Sequence, residues 1–143
     1  MSEPLWTFDE ALAATGGIAP GGAAPDLTSV SIDSRTIESG ALFAAIRGDN
    51  LDGHDYVDSA FEAGAGAALV AHDAELEATG TLIRVPDTLE ALNRLGAAAR
   101  ARSRSCVIAV TGSVGKTGTK EALRLAFSTS GTVHASQKSY NNL

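Results

Sequence analysis

The sequence predicts an α/β fold in two parts: a small mixed α/β domain, then the first strand, glycine-rich turn and helix of a second domain built on a parallel sheet. Three observations carry this. Strand-like segments at residues 29–32, 41–46, 67–71 and 82–85 alternate with polar turns and helical patterns, the order that builds parallel α/β layers. The apolar run 107–110 leads directly into Thr111-Gly112-Ser113-Val114-Gly115-Lys116-Thr117 and an amphipathic stretch to Phe127. Beyond it only one further strand, at 132–135, and a polar end at Lys138-Ser139-Tyr140-Asn141-Asn142 are expected. One helix and one strand do not cover both faces of a sheet, so the second domain reads as truncated.

Taken in order, Thr7 and Glu10 form a capping box for a helix over 6–14, and Gly16-Gly17 ends it. Residues 18–27 carry Pro20, Gly21, Gly22 and Pro25 and read as loop. The strand at 29–32 runs into Asp33-Ser34-Arg35, and polar groups at the carboxyl end of a strand face a crevice or cap the next turn. Asp33 and Arg35 point the same way and are expected to hold each other or that turn. The run 41–46 is too short for a helix and opens into the polar loop 47–55. Loops of this length in a compact domain are commonly functional. Asp55 is placed to cap a helix whose inner side is Val57, Ala60 and Phe61. A strand at 67–71, a short polar helix at 73–78 and a strand at 82–85 complete the unit. Its apolar residues, from Val30 to Val85, are expected to form a single two-layer core. After Pro86, Asp87 or Thr88 caps a helix to about Arg102, with Leu89, Leu92, Leu95 and Ala99 on one side. The expected plan is a domain at 1–86, a linker helix at 87–104 and the start of a second domain at 105–143.

Composition narrows the classes of function. A chain of 143 residues with 44% hydrophobic content can bury one core of ordinary size, or one small domain and part of another. Its net charge is −6 and its basic residues form no cluster. That argues against nucleic acid and anionic membrane, which are held largely by Lys and Arg. Arg100, Arg102 and Arg104 at a helix end complement its dipole. The single cysteine, Cys106, excludes an intramolecular disulfide; it is expected as a small buried hydrophobe, in keeping with a reducing cytoplasm. Neither a signal peptide nor a membrane span is expected. His54 lies beside Asp52 and Asp55 without zinc-ligand spacing, so that cluster is read as loop and capping structure. His72 and His134 receive no role.

The turn after residue 110 is a phosphate cradle. Gly112 and Gly115 let the backbone curl so that its N–H groups face phosphate oxygens, and a helix N-terminus adds partial positive charge at the same point. Lys116 reaches the outer phosphates, and the Thr117 hydroxyl suits a magnesium ion that keeps most of its waters. The expected ligand is a nucleoside triphosphate. In the pattern G-x-x-x-x-G-K-[ST] the first glycine would fall at Val110; here the extra glycine is Gly112, which makes the loop a variant.

Three segments then resemble the Mur ligases of bacterial cell-wall synthesis: Ile32-Asp33-Ser34-Arg35; Leu42-Phe43-Ala44-Ala45-Ile46-Arg47-Gly48 with Asp52-Gly53-His54-Asp55; and the phosphate loop. The first two are similar to the family's N-terminal domain, which holds the UDP part of a sugar nucleotide, and the third to its central ATP domain. Gly112-Ser113, Lys120-Glu121 and Tyr140-Asn141-Asn142 resemble the member that joins D-alanyl-D-alanine to UDP-N-acetylmuramoyl-tripeptide. The resemblance implies an ATP- and Mg2+-dependent amide ligation in which a carboxylate is activated as an acyl phosphate and captured by an amine. It implies that Thr111, Gly112, Ser113, Val114, Gly115, Lys116, Thr117 and Gly118 hold ATP, with Lys116 catalytic and Thr117 on the metal. It implies uridine contacts from Ile32 and Ser34. The same resemblance implies that Asp49, Asn50 and Leu51 line the sugar-nucleotide side and that Asn141 and Asn142 lie near the substrate end of the ATP site. A cytoplasmic, monomeric full-length enzyme follows, this chain alone being inactive. The alternatives are the preceding ligase, which adds the diamino acid, a different phosphate-loop enzyme, and a sugar-nucleotide binding module without catalysis.

Overall fold

In the computed structural model, which describes residues 4–77 and 79–136, the capping box is formed. The Glu10 N–H donates to Thr7 Oγ1 at 3.2 Å and the Thr7 N–H to Glu10 Oε2 at 3.0 Å. They start helix α1, Phe8–Thr15, which Gly16 ends in the left-handed region at φ 67°. Four strands follow, β1 (Val30–Ser31), β2 (Leu42–Ala44), β3 (Ala67–Ala71) and β4 (Thr81–Val85). They form one parallel sheet in the order β1-β2-β3-β4, with Leu42 opposite Val30 and Ala67, and Ala67 opposite Thr81. Helix α2, Val57–Glu62, crosses from β2 to β3. Asp52, not Asp55, caps the turn that enters it: a single 3-10 turn at Gly53–Tyr56 intervenes, and the His54 N–H reaches the Asp52 carboxylate. The polar helix expected at 73–78 is a turn at His72 and Asp73 followed by irregular chain, Ala78 lying outside the described residues. Arg84 supports this stretch by donating to the carbonyls of His72 and Ala74.

The core is not a single two-layer one. Side chains of a strand alternate between faces, so Leu42, Ala44, Leu69, Ile83 and Val85 enter one cluster while Phe43, Ala68, Val70 and Leu82 enter another. The second cluster is closed by Val57 and Ala60 of α2. The first is closed by Phe8 and Ala11 of α1 and by Ala91 and Leu95 of helix α3, Thr88–Arg102. Helix α3, expected as a linker, is therefore the cover of a second sheet face. Asp87 caps it through the Glu90 N–H at 2.7 Å. At its other end the Arg102 guanidinium lies 3.6 Å over the Trp6 ring and donates to the Leu5 carbonyl. The chain thus divides after Ser103, and among the described residues β1 to β4 and α1 to α3 belong to the first unit.

The second unit contains helix α4, Lys116–Ser128. The strands expected at 107–110 and 132–135 are not formed; Val107 and Ile108 are 60% and 50% exposed, and Cys106 is exposed rather than buried. The reason is physical. A parallel strand needs a ladder partner and covered faces, and no described residue of this unit supplies either. Among the described residues no helix is long and apolar enough to cross a membrane.

Candidate functional site

Because all four strands are parallel, the segments that follow β1, β2 and β3 leave the same edge of the sheet, the edge where ligands of α/β folds bind. After β1, Asp33 caps the 3-10 turn Ser34–Thr36 through the Arg35 N–H at 3.0 Å. Its carboxylate also takes two charge-assisted hydrogen bonds, from Arg35 Nε at 2.9 Å and Nη2 at 2.7 Å. The pair holds the turn, as expected, and those hydrogen bonds raise the Arg35 pKa above its ordinary value. The turn presents Ser34 half-buried, with no partner for its hydroxyl among the described residues. Ile32 beside it is 60% exposed, so it lies outside the core.

After β2 the loop doubles back on itself. The Gly48 N–H donates to the Leu51 carbonyl and the Gly53 N–H to that of Ile46, both at 2.9 Å. A Cβ at Gly53 would lie 2.6 Å from the Ile46 nitrogen, so only glycine allows this approach. Asp49, Asn50 and Leu51 form the exposed tip, Leu51 being 67% exposed. The base of the loop is held by side chains whose partnership the sequence did not disclose. Arg47 donates to both oxygens of Asp73 at 3.0 and 3.1 Å and through Nε to Asp52 at 3.3 Å. His54, 7% exposed, faces Asp52 through Nδ1 at 2.5 Å and accepts the Ala71 N–H at Nε2 at 2.9 Å. An accepting Nε2 leaves the ring proton on Nδ1, directed at the carboxylate. The hydrogen bonds to Asp73 raise the Arg47 pKa and lower that of Asp73, and the His54 N–H is the main cause holding the Asp52 carboxyl below its ordinary value. Asp52 with His54 had a local signal, two residues spaced for an Asx-type turn. Asp73 had none.

In the second unit the glycine-rich turn has the conformation its residues imply. Gly112 and Gly115 adopt φ 151° and 77°, and Gly115 is the residue from which α4 begins. Lys116 is the first helical residue, and its Nζ donates to the Gly112 carbonyl across the turn. Thr111, Ser113, Val114, Thr117 and Gly118 are exposed around it. A helix N-terminus, two curled glycines and one lysine converge here, a set of donors suited to phosphate oxygens. Lys120 and Glu121 are turned elsewhere: Lys120 donates to the Ser136 carbonyl at 2.5 Å, and Glu121 accepts from Arg124 at 2.8 Å. Asn141 and Asn142 lie outside the described residues.

The family model described as "Mur ligase family, catalytic domain" matches residues 26–100. The chain belongs to the Mur ligase family. This match falls in the first unit and stops short of the phosphate loop. Among curated Mur ligases the chain is 40% identical over 113 residues to the UDP-N-acetylmuramoyl-tripeptide–D-alanyl-D-alanine ligase of Rickettsia prowazekii, covering 79% of this chain and 25% of that protein. It is 38% identical over 110 residues to the UDP-N-acetylmuramoyl-L-alanyl-D-glutamate–2,6-diaminopimelate ligase of Bacillus licheniformis, covering 76% of this chain and 22% of the relative. Of solved structures, MurF from Acinetobacter baumannii superposes with a TM-score of 0.76 at 35% identity over 89% of this chain and 28% of that one. MurF from Thermotoga maritima, solved in complex with ADP, superposes with a TM-score of 0.58 at 30% identity over 71% and 23%. The chain thus spans about a quarter of the length of the Mur ligases it matches.

Proposed function

We propose that this chain supplies the sugar-nucleotide domain and the phosphate loop of an ATP-dependent, ADP-forming ligase that joins D-alanyl-D-alanine to UDP-N-acetylmuramoyl-tripeptide. The observation that carries the ATP half is the turn Gly112–Gly115 closing on Lys116 at the start of α4. The ADP complex of the Thermotoga relative supports the same half. The acceptor half is supported by the names of the relatives at 40% and 35% identity and by the MurF structures. In this reading Thr111 to Gly118 surround the phosphates, and Lys116 leaves the Gly112 carbonyl to meet the transferring group, where its charge acts most strongly as the phosphoryl group loosens. The exposed Thr117 hydroxyl fits a magnesium ion, which offsets charge on the phosphates when bound. Ile32 and Ser34 receive the uridine, with Asp49, Asn50 and Leu51 along the sugar-nucleotide side and Asn141 and Asn142 toward the substrate end of the ATP site. The domain plan that fits is a sugar-nucleotide domain closed by α3, followed by the start of the ATP domain. The full-length enzyme is read as a cytoplasmic monomer that engages neither nucleic acid nor membrane.

The test is ADP release by the full gene product. Release that requires both the muramoyl tripeptide and D-alanyl-D-alanine supports the reading, with Lys116→Ala lowering kcat by about 100-fold or more. Release driven instead by the dipeptide precursor and a diamino acid would assign the protein to the other ligase.

A further inference from the structure

The loop that follows β2 is held from beneath by a chain of four side chains that reaches the end of β3. His54 is buried and joins two elements: its Nε2 takes the Ala71 N–H, the last of β3, and its Nδ1 meets Asp52 Oδ1. Asp52 Oδ2 takes Arg47 Nε, at the other foot of the same loop, and Arg47 is tied by two hydrogen bonds to Asp73, just beyond β3. Both feet are therefore fastened to one neighbouring strand, while the tip at Asp49, Asn50 and Leu51 has no such support and stands exposed. An exposed tip binds more tightly when its ordering is completed before the ligand arrives. An Arg neutralised by two carboxylates is moreover a poor phosphate ligand, so the guanidinium serves the loop more than it serves a diphosphate.

We propose that His54 is a positioning residue for sugar-nucleotide binding: through Asp52 and Arg47, with Asp73 as the outer anchor, it sets the loop 47–53 in its receiving conformation. This rests on the reading of that loop as part of the uridine nucleotide site. The proposal assigns His54 no contact with the nucleotide.

The experiment is calorimetric titration of the 143-residue chain with UDP-N-acetylmuramoyl-tripeptide, alongside thermal melts of each variant. His54→Leu keeps the volume but loses both hydrogen bonds, and is expected to weaken binding about tenfold or more. His54→Gln can still accept from Ala71 and donate to Asp52, and is expected to recover affinity to within about threefold of the parent chain. Asp73→Ser alters only a side chain 70% exposed, so it folds whatever becomes of His54→Leu. It is expected to weaken binding by about threefold to tenfold with little change in melting temperature. If Asp73→Ser and His54→Gln both bind like the parent, and His54→Leu loses affinity only in proportion to unfolded protein, His54 is structural and the proposal falls while the nucleotide reading stands. If the parent chain takes up no UDP-muramoyl peptide, the nucleotide reading itself falls, and this proposal with it.

Discussion

Asp52 gives each oxygen to a different neighbour, one to the backbone and ring of His54 and the other to Arg47. Its carboxyl and that of Asp73 are both held below their ordinary value in the folded chain. The unfolded chain therefore binds more protons than the folded one between the ordinary Asp value, about 3.9, and the lowered ones. The stabilisation is complete above about pH 4–5 and is lost as the pH falls through the folded values, so stability rises with pH across that window. Asp73→Asn should flatten this part of the curve by lowering the plateau slightly toward the acid value, with stability at the acid end unchanged, as read from urea midpoints at a series of pH values. Ser34 tests the other half of the edge. If its free hydroxyl meets the nucleotide, Ser34→Ala should cost about 1 kcal/mol of binding, the worth of one neutral hydrogen bond, with no change in melting temperature. A melting shift without an affinity change would make Ser34 a turn residue.

Helix α3 is part of the core of the first unit. It closes one face of the sheet with Ala91 and Leu95, each only 2% exposed, so Leu95→Ala should destabilise the first unit by about 2–5 kcal/mol in denaturant melts. A chain ended after Pro86 should fail to fold cooperatively, whereas one ended after Ser103 should fold and keep its nucleotide affinity. Cooperative melting of the shorter chain would return α3 to the status of a linker. The strand at Ala67–Ala71 and the helices starting after Thr7 and Asp87 were legible because caps and β-branched or small apolar runs are local signals. The role of α3 was not, because its apolar side, Leu92, Leu95 and Ala99, looks the same whether it covers this sheet or another. The site divides in the same way. The phosphate loop and the turn at Asp33 are encoded in consecutive residues, but the Arg47–Asp73 pair spans 26 positions and exists only once β2 and β3 lie side by side. The buried strand expected at 107–110 failed for a related reason: hydrophobicity marks what wants a neighbour, not whether the neighbour is present.

The whole molecule has two units of unequal provision. The first buries residues on both faces of its sheet, while the second leaves Val107, Ile108, Leu125 and Phe127 between 45% and 60% exposed. Its backbone should open at lower free energy than the first unit's. Limited trypsin digestion read by mass should give early cuts at Arg104, Lys116 and Lys120, with Arg84 and Arg94 protected. Equal protection on both sides of Ser103 would show that the units share one stability.

The first unit has a further property, set by its strand order. Each strand pairs with the one synthesised just before it, so order in space repeats order in time. A nascent chain leaving the ribosome can close the β1–β2 ladder, then β2–β3, then β3–β4, with no strand held open for a distant partner. The exception is the face shared by α1 and α3, whose residues come from opposite ends of the unit. Until Leu95 has emerged, Phe8 and Ala11 lack their closing partner, so this face of the sheet is the last to be covered in the growing chain.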